Sequence, residues 1–266
     1  MKIFLNSKTY ETKANDINEL KKECKFDGEI IILNGFAINS NEKLKQNSEI
    51  YLIKKGENLS DEKLKALMLS RNSPFINQKL QNTRICICGL GGLGSNVAVM
   101  LARVGVGELF LIDFDTVDPT NLNRQHYFVE HLWKNKTIAL KEQLTQINPF
   151  VKVEILNERL NENNVKEILK NEKIICECFD NVPSKIMMIN LASKFSDKKF
   201  ICASGMAGYE SSNLIKTIKF GSNVYICGDQ VNGAKPGFGL MSPRVNICAA
   251  HQANMALRLI LDENEI

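Results

Sequence analysis

One stretch of the chain, residues 84–104, restricts the fold more than any other. It begins with a short apolar run, Arg-Ile-Cys-Ile-Cys, which is typical of a buried β-strand. It ends with a mostly apolar run that predicts a buried helix. Between the two lie glycines that permit a tight turn and a close approach of the backbone to a phosphate: Gly89, Gly91, Gly92 and Gly94. Because free N–H groups at a helix start face an anion, the stretch predicts a nucleotide or dinucleotide site.

From residue 84 onward, strand patterns and helix patterns alternate along the chain. This alternation predicts an α/β domain with a doubly wound, mostly parallel, Rossmann-like sheet. After the first strand, apolar strand patterns occur at 108–113, 151–156, 174–178 and 200–203. Residues 213–220 and 223–227 then flank a Gly-Ser turn and predict an antiparallel hairpin. We therefore expect an antiparallel C-terminal extension, followed by a closing helix.

Residues 1–56 predict a small unit of their own. It contains two hairpin patterns, one of which turns at Asn34-Gly35, and a helix pattern that Asp16 can cap. This order of elements resembles the small α+β β-grasp (ubiquitin-like) fold, and specifically the ThiS sulfur-carrier proteins of thiamin synthesis. A carrier ends in a free Gly-Gly carboxylate, whereas residues 54–57, Lys-Lys-Gly-Glu, continue into more protein. The resemblance therefore implies a ThiS-like domain that cannot itself accept an acyl group.

Composition argues against two classes of function. The apolar fraction of 44% and the charged fraction of 24% are those of ordinary globular proteins. The formal charge of +4 is small and spread along the chain, so we expect no nucleic-acid binding. No run reaches the roughly 18 apolar residues of a membrane span, and the first residues turn polar too early for a secretory signal. We expect a cytoplasmic protein whose eight cysteines are not paired in disulfides.

Five charged residues distinguish a triphosphate site from a dinucleotide site. Asp113 ends the second strand pattern, where a carboxylate accepts hydrogen bonds from a ribose hydroxyl. The others follow it along the chain: Asp115, Arg124, Lys136 and Asp180. Two further carboxylates and two cations exceed what a dinucleotide needs. They suit ATP with Mg²⁺, because cations neutralise the leaving pyrophosphate and carboxylates hold the metal ion.

Together these residues resemble the ThiF/MoeB-type adenylyltransferases, the superfamily that includes the ubiquitin-activating enzymes. The motifs are G-x-G-G-L-G, then D-x-D-x-V followed by N-L-x-R-Q, then a lysine and D-N. The resemblance runs from Arg71 to the carboxyl terminus and implies that residues 57–266 form an ATP-binding adenylyltransferase domain. With the ThiS-like leader, the chain most resembles the thiamin-pathway ThiF subgroup.

The resemblance also implies how the nucleotide is bound. The four glycines approach the ATP phosphates, and Asp113 binds the ribose. Arg124 and Lys136 hold the triphosphate and stabilise the charge that develops on it. Lys134 is an alternative to Lys136, because the Lys-Asn-Lys sequence at 134–136 departs from the family's usual pattern.

The metal ions and the oligomeric state are further implications of the resemblance. Asp180 binds Mg²⁺, and Asp115 is the candidate second ligand. Arg71 matches an arginine that the family inserts into the ATP site of the partner protomer, which implies a homodimer. Most of the family carries two C-x-x-C pairs that bind structural zinc. This chain has no C-x-x-C, so a four-ligand zinc site is not expected.

The function that follows is ATP-dependent adenylation of the C-terminal glycine carboxylate of a separate ThiS-like carrier that ends in Gly-Gly. The reaction releases pyrophosphate and serves the synthesis of the thiamin thiazole. The alternatives are the same chemistry on a molybdopterin-type carrier, a peptide or a tRNA-bound carboxylate, an NAD-dependent oxidoreductase, or a non-catalytic scaffold. The sequence assigns neither a sulfur donor nor a cysteine that takes over the acyl group.

Overall fold

The computed structural model describes residues 1–266 and divides them into two compact units, Met1–Gln78 and Lys79–Ile266. The strands are β1 Lys2–Leu5, β2 Lys8–Glu11, β3 Ile30–Leu33, β4 Phe36–Ile38, β5 Glu49–Ile53, β6 Arg84–Cys88, β7 Glu108–Ile112, β8 Lys152–Leu156, β9 Ile174–Glu177, β10 Lys199–Ala203, β11 Lys216–Phe220 and β12 Val224–Gly228. The helices are α1 Ile17–Glu23, α2 Asp61–Met68, α3 Asn77–Gln81, α4 Gly92–Val104, α5 Lys136–Ile147, α6 Val165–Ile168, α7 Val182–Ala192 and α8 Ser242–Ile260. None of these helices is both long enough and apolar enough to cross a membrane.

The first unit has the β-grasp architecture predicted from its sequence. Its sheet has the order β2-β1-β5-β3-β4, in which only the β1–β5 pair is parallel. Asp16 caps α1 as expected, because its Oδ1 accepts a hydrogen bond of 2.9 Å from the backbone N–H of Glu19. The second hairpin turns at Asn34 and Gly35, whose φ angles of 48° and 84° lie in the left-handed region.

Both faces of this small sheet are covered by helices of the first unit. Ile17 and Leu20 of α1 pack into the core on one face. On the other face Ala66 of α2 packs against Ile32 and Tyr51. The sequence-based boundary lay between residues 56 and 57, whereas the compact unit extends to Gln78. The difference arises because α2 buries its apolar side on the β-grasp sheet.

The second unit is a doubly wound α/β domain, which confirms the predicted fold class. Its sheet has the order β11-β12-β10-β9-β6-β7-β8, and every neighbouring pair is parallel except β11 with β12. Helices α4, α5 and α8 pack together on one face, while α6 and α7 contribute to the apolar core of the other. The antiparallel β11 is the predicted C-terminal extension.

The segment between β7 and α5 differs from the sequence prediction. The apolar pattern of residues 132–147 predicts a helix from about residue 132, whereas α5 begins at Lys136. Residues before it pair with the segment that follows β7, because Val117 N–H donates to Lys134 O at 2.9 Å and Lys136 N–H donates to Asp115 O at 2.9 Å. These long-range backbone bonds compete with the helix and hold Lys136 beside Asp115.

The strand order places a crevice in the middle of the large sheet. From β6 the chain proceeds to β7 and β8 on one side, then returns to β9 and β10 on the other. Ligands of doubly wound sheets bind at such a reversal, outside the carboxyl ends of the strands. Gly89, Asp113 and Asp180 all follow strands that end at this edge.

Candidate active site

The loop between β6 and α4 needs its glycines for two close backbone approaches. Gly89 has a φ of +90°, and a Cβ there would lie 3.0 Å from the carbonyl oxygen of Cys178. A Cβ on Gly94 would lie 1.9 Å from the carbonyl oxygen of Gly89. The N-cap of α4 is Gly91, which offers no side-chain hydrogen bond to the first turn. The N–H groups at the start of α4 are therefore free of a capping side chain and suited to bind an anion.

Asp113 is buried directly after β7 and accepts a hydrogen bond from the glycine loop. Its Oδ2 accepts a hydrogen bond of 2.6 Å from Leu90 N–H, and its Oδ1 accepts one of 2.8 Å from Asp115 N–H. Burial raises the pKa of Asp113, although these hydrogen bonds and the charge of Lys136 oppose the rise. Each carboxylate oxygen accepts more than one hydrogen bond, so Asp113 retains acceptor capacity for a ribose hydroxyl.

Lys136 and Lys134 have different surroundings. Lys136 is the first residue of α5 and is only 6% exposed, and its ammonium lies 3.0 Å from Asp115 Oδ2. A cation at a helix N-terminus opposes the helix dipole, so its burial there points to an anionic ligand. Lys134 is exposed and pairs with Glu142 at 2.9 Å. The geometry therefore favours Lys136 as the phosphate-binding lysine.

Arg124 lies against the start of α4. One Nη donates to Thr120 O at 3.0 Å and to Asn123 Oδ1 at 2.8 Å. Its Nε is buried without any hydrogen-bond partner. An unpaired buried donor of a guanidinium is costly unless a ligand completes it, so Arg124 is suited to an anion.

Asp180 is exposed in the turn between β9 and α7. Asn181 caps α7, with its Oδ1 accepting a hydrogen bond of 3.0 Å from Ser184 N–H. This cap fixes the turn in which Asp180 lies. The Asp180 carboxylate accepts one hydrogen bond, of 3.4 Å, from the side-chain amide of neighbouring Asn181. Its oxygens are therefore available to a ligand.

These residues surround one cavity of about 350 Å³ at the carboxyl ends of the strands. The predicted residues that line it are Gly89, Gly91, Gly92, Asp113, Asp115, Arg124, Lys136 and Asp180. Gly94 is buried beneath the loop instead. Arg71 is exposed and belongs to the first unit.

Sequence reasoning missed an ion pair in the wall of the cavity. Lys185 of α7 donates to both carboxylate oxygens of Glu177, at 2.9 and 3.2 Å, and to Ala203 O at 2.8 Å. Glu177 is almost completely buried at the end of β9. An acidic residue inside an apolar strand pattern could have predicted this pair, since a buried charge needs a partner.

A second missed pair lies toward the β8 side of the cavity. The guanidinium of Arg159 lies 5.1 Å from the centre of the Phe114 ring, and both side chains line the cavity. A cation held over an aromatic face makes a flat, partly apolar surface that suits a nucleotide base. No sequence motif pointed to Arg159.

The cysteines of the second unit are packing residues. Seven are buried: Cys86, Cys88, Cys176, Cys178, Cys202, Cys227 and Cys248. Burial raises the pKa of Cys202 well above its ordinary value and that of Cys227 to about 12. Thiols in this state are poor nucleophiles. No group of three or more His, Cys, Asp or Glu side chains is arranged to hold a metal ion.

Comparison with known proteins identifies both parts of the chain. Residues 65–266 match the ThiF family, and residues 1–56 match ThiS-like ubiquitin. The sulfur carrier protein ThiS adenylyltransferase of Escherichia coli K12 is 30% identical over 188 residues, which cover 69% of this chain and 74% of that protein. The molybdopterin-synthase adenylyltransferase of the same organism is 28% identical over 199 residues, covering 73% and 79%.

Solved structures agree in fold. The E. coli tRNA N6-threonylcarbamoyladenosine dehydratase TcdA, in complex with ATP, superposes with a TM-score of 0.69 at 20% identity, covering 78% of this chain and 98% of that one. At this identity the likeness concerns the fold alone. The family match and the named relatives carry the assignment further: the chain belongs to the ThiF family and is a ThiF/MoeB-type adenylyltransferase with an N-terminal ThiS-like domain.

Proposed function

We propose that this enzyme uses ATP to adenylate the C-terminal glycine carboxylate of a separate ThiS-like sulfur carrier, releasing pyrophosphate, in the synthesis of the thiamin thiazole. The observation that carries the proposal is the meeting of Asp113, Arg124, Lys136 and Asp180 around one cavity beside the glycine loop. This reaction needs cations that bind the triphosphate, a carboxylate that binds the ribose and a free carboxylate that binds a metal ion.

Each part of ATP has a matching part of the cavity in this proposal. The ribose lies at Asp113, and the phosphates lie at the start of α4, where free N–H groups face them. The buried Nε of Arg124, which has no partner within the protein, donates a hydrogen bond to a phosphate oxygen. Lys136 moves part of its interaction from Asp115 to the triphosphate. The base extends toward Phe114 and Arg159 on the β8 side.

The donor set also fits Mg²⁺. Asp180 offers exposed carboxylate oxygens to the cavity, and hard oxygen ligands are those that Mg²⁺ prefers. We assign Asp180 as its ligand, with Asp115 as a second ligand once Lys136 turns to the phosphates. The bound ion would neutralise charge on the phosphates. Exchange that proceeds unchanged in excess EDTA would contradict this assignment.

The chemistry requires no general base. A peptide carboxylate has a pKa near ~3.5 and is ionised at neutral pH. One of its oxygens attacks the α-phosphorus, the new O–P bond forms as the bond from the α-phosphorus to the bridging oxygen breaks, and pyrophosphate leaves. The protein positions the two reactants and stabilises the developing charge with Arg124 and Lys136.

The oligomeric state and the first unit belong to the same proposal. We propose a homodimer in which Arg71 of one protomer reaches the ATP of its partner. Mixing an Arg71→Ala chain with an Asp180→Ala chain tests this, because a shared site restores activity in the mixed dimer. The shared site would be refuted if no mixture of the two variants had more exchange activity than the variants have separately.

The identity of the acceptor separates this proposal from its nearest alternatives. A ThiS adenylyltransferase and a molybdopterin-synthase adenylyltransferase are similarly related to the chain, so the chemistry alone does not choose between their carriers. The ThiS-like first unit favours the thiamin carrier. Pyrophosphate exchange should be measured with ThiS-type and molybdopterin-type carriers, with carriers lacking the terminal Gly-Gly as controls. Preferential exchange with the molybdopterin-type carrier would overturn the thiamin assignment.

Asp180 provides the test of the site itself. Asp180→Ala should abolish carrier-dependent exchange of pyrophosphate into ATP while leaving the fold intact, because the side chain is exposed and makes no structural contact beyond Asn181. Asp197→Ala is the matched control, since Asp197 is also exposed and pairs only with surface Lys173 outside the cavity. Wild-type exchange in the Asp180 variant would refute the assignment. Tight NADH binding with no ATP binding, measured by calorimetry, would refute the reaction class.

A further inference from the structure

Arg244 is a buried arginine whose hydrogen bonds are incomplete. It lies in the first turn of α8 and is 3% exposed. One Nη pairs with Asp229, but Nε and the other Nη are buried without any partner. Native proteins rarely leave buried donors unpaired, because such a donor has lost its hydrogen bonds to water without gaining another partner. The N-cap of α8, Met241, also offers no side-chain cap, so this helix start combines N–H groups that lack a capping side chain with two guanidinium nitrogen atoms that lack a partner.

Arg244 and Asp229 do not line the cavity themselves, but each is next to a residue that does. Asp229 Oδ1 lies 2.2 Å from where a Cβ on Gly205 would be, so carboxylate and Gly205 backbone touch. Gly205 itself lines the cavity, as does Val245, the residue after Arg244. Asp229 is fully occupied, because its oxygens also accept hydrogen bonds from Val231 and Asn232. The Asp229 carboxylate therefore orients Arg244 and leaves the unpaired N–H groups for something else.

The strand order decides which reactant lies at this end of the cavity. ATP, with its ribose at Asp113 and its phosphates at α4, occupies the part outside β7 and β6. Gly205 follows β10, and β10 is separated from β6 by the intervening strand β9. We place the nucleotide on the β6–β7 side of the cavity, and this placement leaves the end at Gly205 to the second reactant. The remaining reactant in the proposed function is a carboxyl-terminal peptide, whose backbone carbonyl groups need donors when they leave water.

We propose that Arg244 binds the acceptor: its unpaired Nε–H and Nη–H donate to backbone carbonyl oxygens of the carrier's C-terminal Gly-Gly segment as that segment enters beside Gly205. This inference rests on the proposed function. The planar guanidinium suits the task, since its N–H groups diverge in a fixed geometry while Asp229 holds the opposite edge. Entry requires residues 230–241 to shift, because the unpaired atoms are out of contact with solvent. That segment contains three glycines and most of its side chains are exposed.

Arg244→Lys is the principal test variant. Lysine keeps the charge next to Asp229 but lacks Nε–H and the planar fork. We expect the KM for the carrier in the exchange assay to rise about 10- to 100-fold, the effect of losing one charged hydrogen bond, with ATP affinity within about twofold of wild type. Arg258→Lys is the matched control, because it makes the same substitution at the far end of α8, where the half-buried Arg258 lies away from the cavity. The carrier used is one that the wild-type enzyme activates, with its form lacking Gly-Gly for comparison.

The outcomes separate this inference from the function on which it rests. An unchanged carrier KM in Arg244→Lys, or equal changes in the carrier and ATP constants, would show that Arg244 only supports the fold. If Arg244→Lys does not fold, Asp229→Asn/Arg244→Gln removes the whole charge pair and is measured in the same way. If the wild-type enzyme activates the carrier and Arg244→Lys leaves the carrier KM unchanged, only the role of Arg244 is refuted. A wild-type enzyme that activates no carrier refutes the proposed function, and this inference falls with it.

Discussion

Replacement of Lys136 by methionine is the sharpest probe of the triphosphate site. Methionine keeps the length of the side chain and removes the charge. Lys136 is buried at the start of α5 and contacts Asp115, which is itself half exposed. Because Asp115 can be hydrated when its partner is lost, we expect the free energy of unfolding to change by less than about 1 kcal/mol. A large stability loss is therefore not part of the expected result.

The expected loss of activity has two components. A charge-assisted hydrogen bond to a phosphate contributes about 1.5–3 kcal/mol. The unpaired Asp115 carboxylate then faces the triphosphate, and two like charges about 5 Å apart repel by about 3 kcal/mol at an effective dielectric constant of about 20. Together these terms predict a fall in kcat/KM for ATP of about 10³- to 10⁴-fold, since each 1.36 kcal/mol corresponds to a factor of ten.

Lys134→Met is the matched control for Lys136→Met. Lys134 is exposed and pairs with Glu142, so its loss should change kcat/KM by less than about twofold. Asp115→Asn added to Lys136→Met should recover about tenfold, because removing the repulsion of about 3 kcal/mol outweighs the loss of Asp115 as a second Mg²⁺ ligand. Pyrophosphate exchange at varied ATP concentration measures all four enzymes. A Lys136→Met enzyme within about threefold of wild type, beside an impaired Lys134→Met enzyme, would contradict the assignment.

Three further predictions concern stability and composition. Burial by itself would raise the pKa of Asp229, but hydrogen bonds from Asn232, Val231 and Arg244 outweigh it and lower the pKa to about 2. Its stabilising contribution should therefore be present above pH ~4 and fall by about 2 kcal/mol as the pH drops toward ~2. Asp229→Asn should remove that part of the acid dependence, and an identical acid profile would refute it. Gly94→Ala and Gly107→Ala each place a Cβ 1.9 Å from a backbone oxygen and should cost about 1–3 kcal/mol of unfolding free energy, but only Gly94→Ala should also weaken ATP binding of the folded protein. Elemental analysis should find no stoichiometric zinc, and one bound ion per chain would overturn that expectation.

Local patterns predicted most of the elements of this fold. Glycines at 89–94, the Asn34-Gly35 turn and the cap at Asp16 each impose their geometry through bonds or sterics within a few residues. The alternation of apolar strand patterns with helix patterns predicted the doubly wound sheet, because this order is typical of that fold class. Where backbone partners come from distant residues, the sequence was a poor guide. The start of α5 at Lys136 depends on pairing with residues 115–117, which no local pattern reveals.

The sequence by itself determined which chemical groups are present: a glycine loop, three carboxylates and two cations in an order that resembles one family. Tertiary structure decided which of them meet. It placed Lys136 in the cavity and Lys134 outside it, it added Lys185 and Arg159, which no motif indicated, and it showed that the hydrogen bonds of Arg244 are incomplete. The physical reason is that burial and hydrogen-bond completeness are properties of packing between distant segments. The two guanidinium nitrogen atoms of Arg244 that lack a partner can be recognised only when all the surrounding residues have been placed.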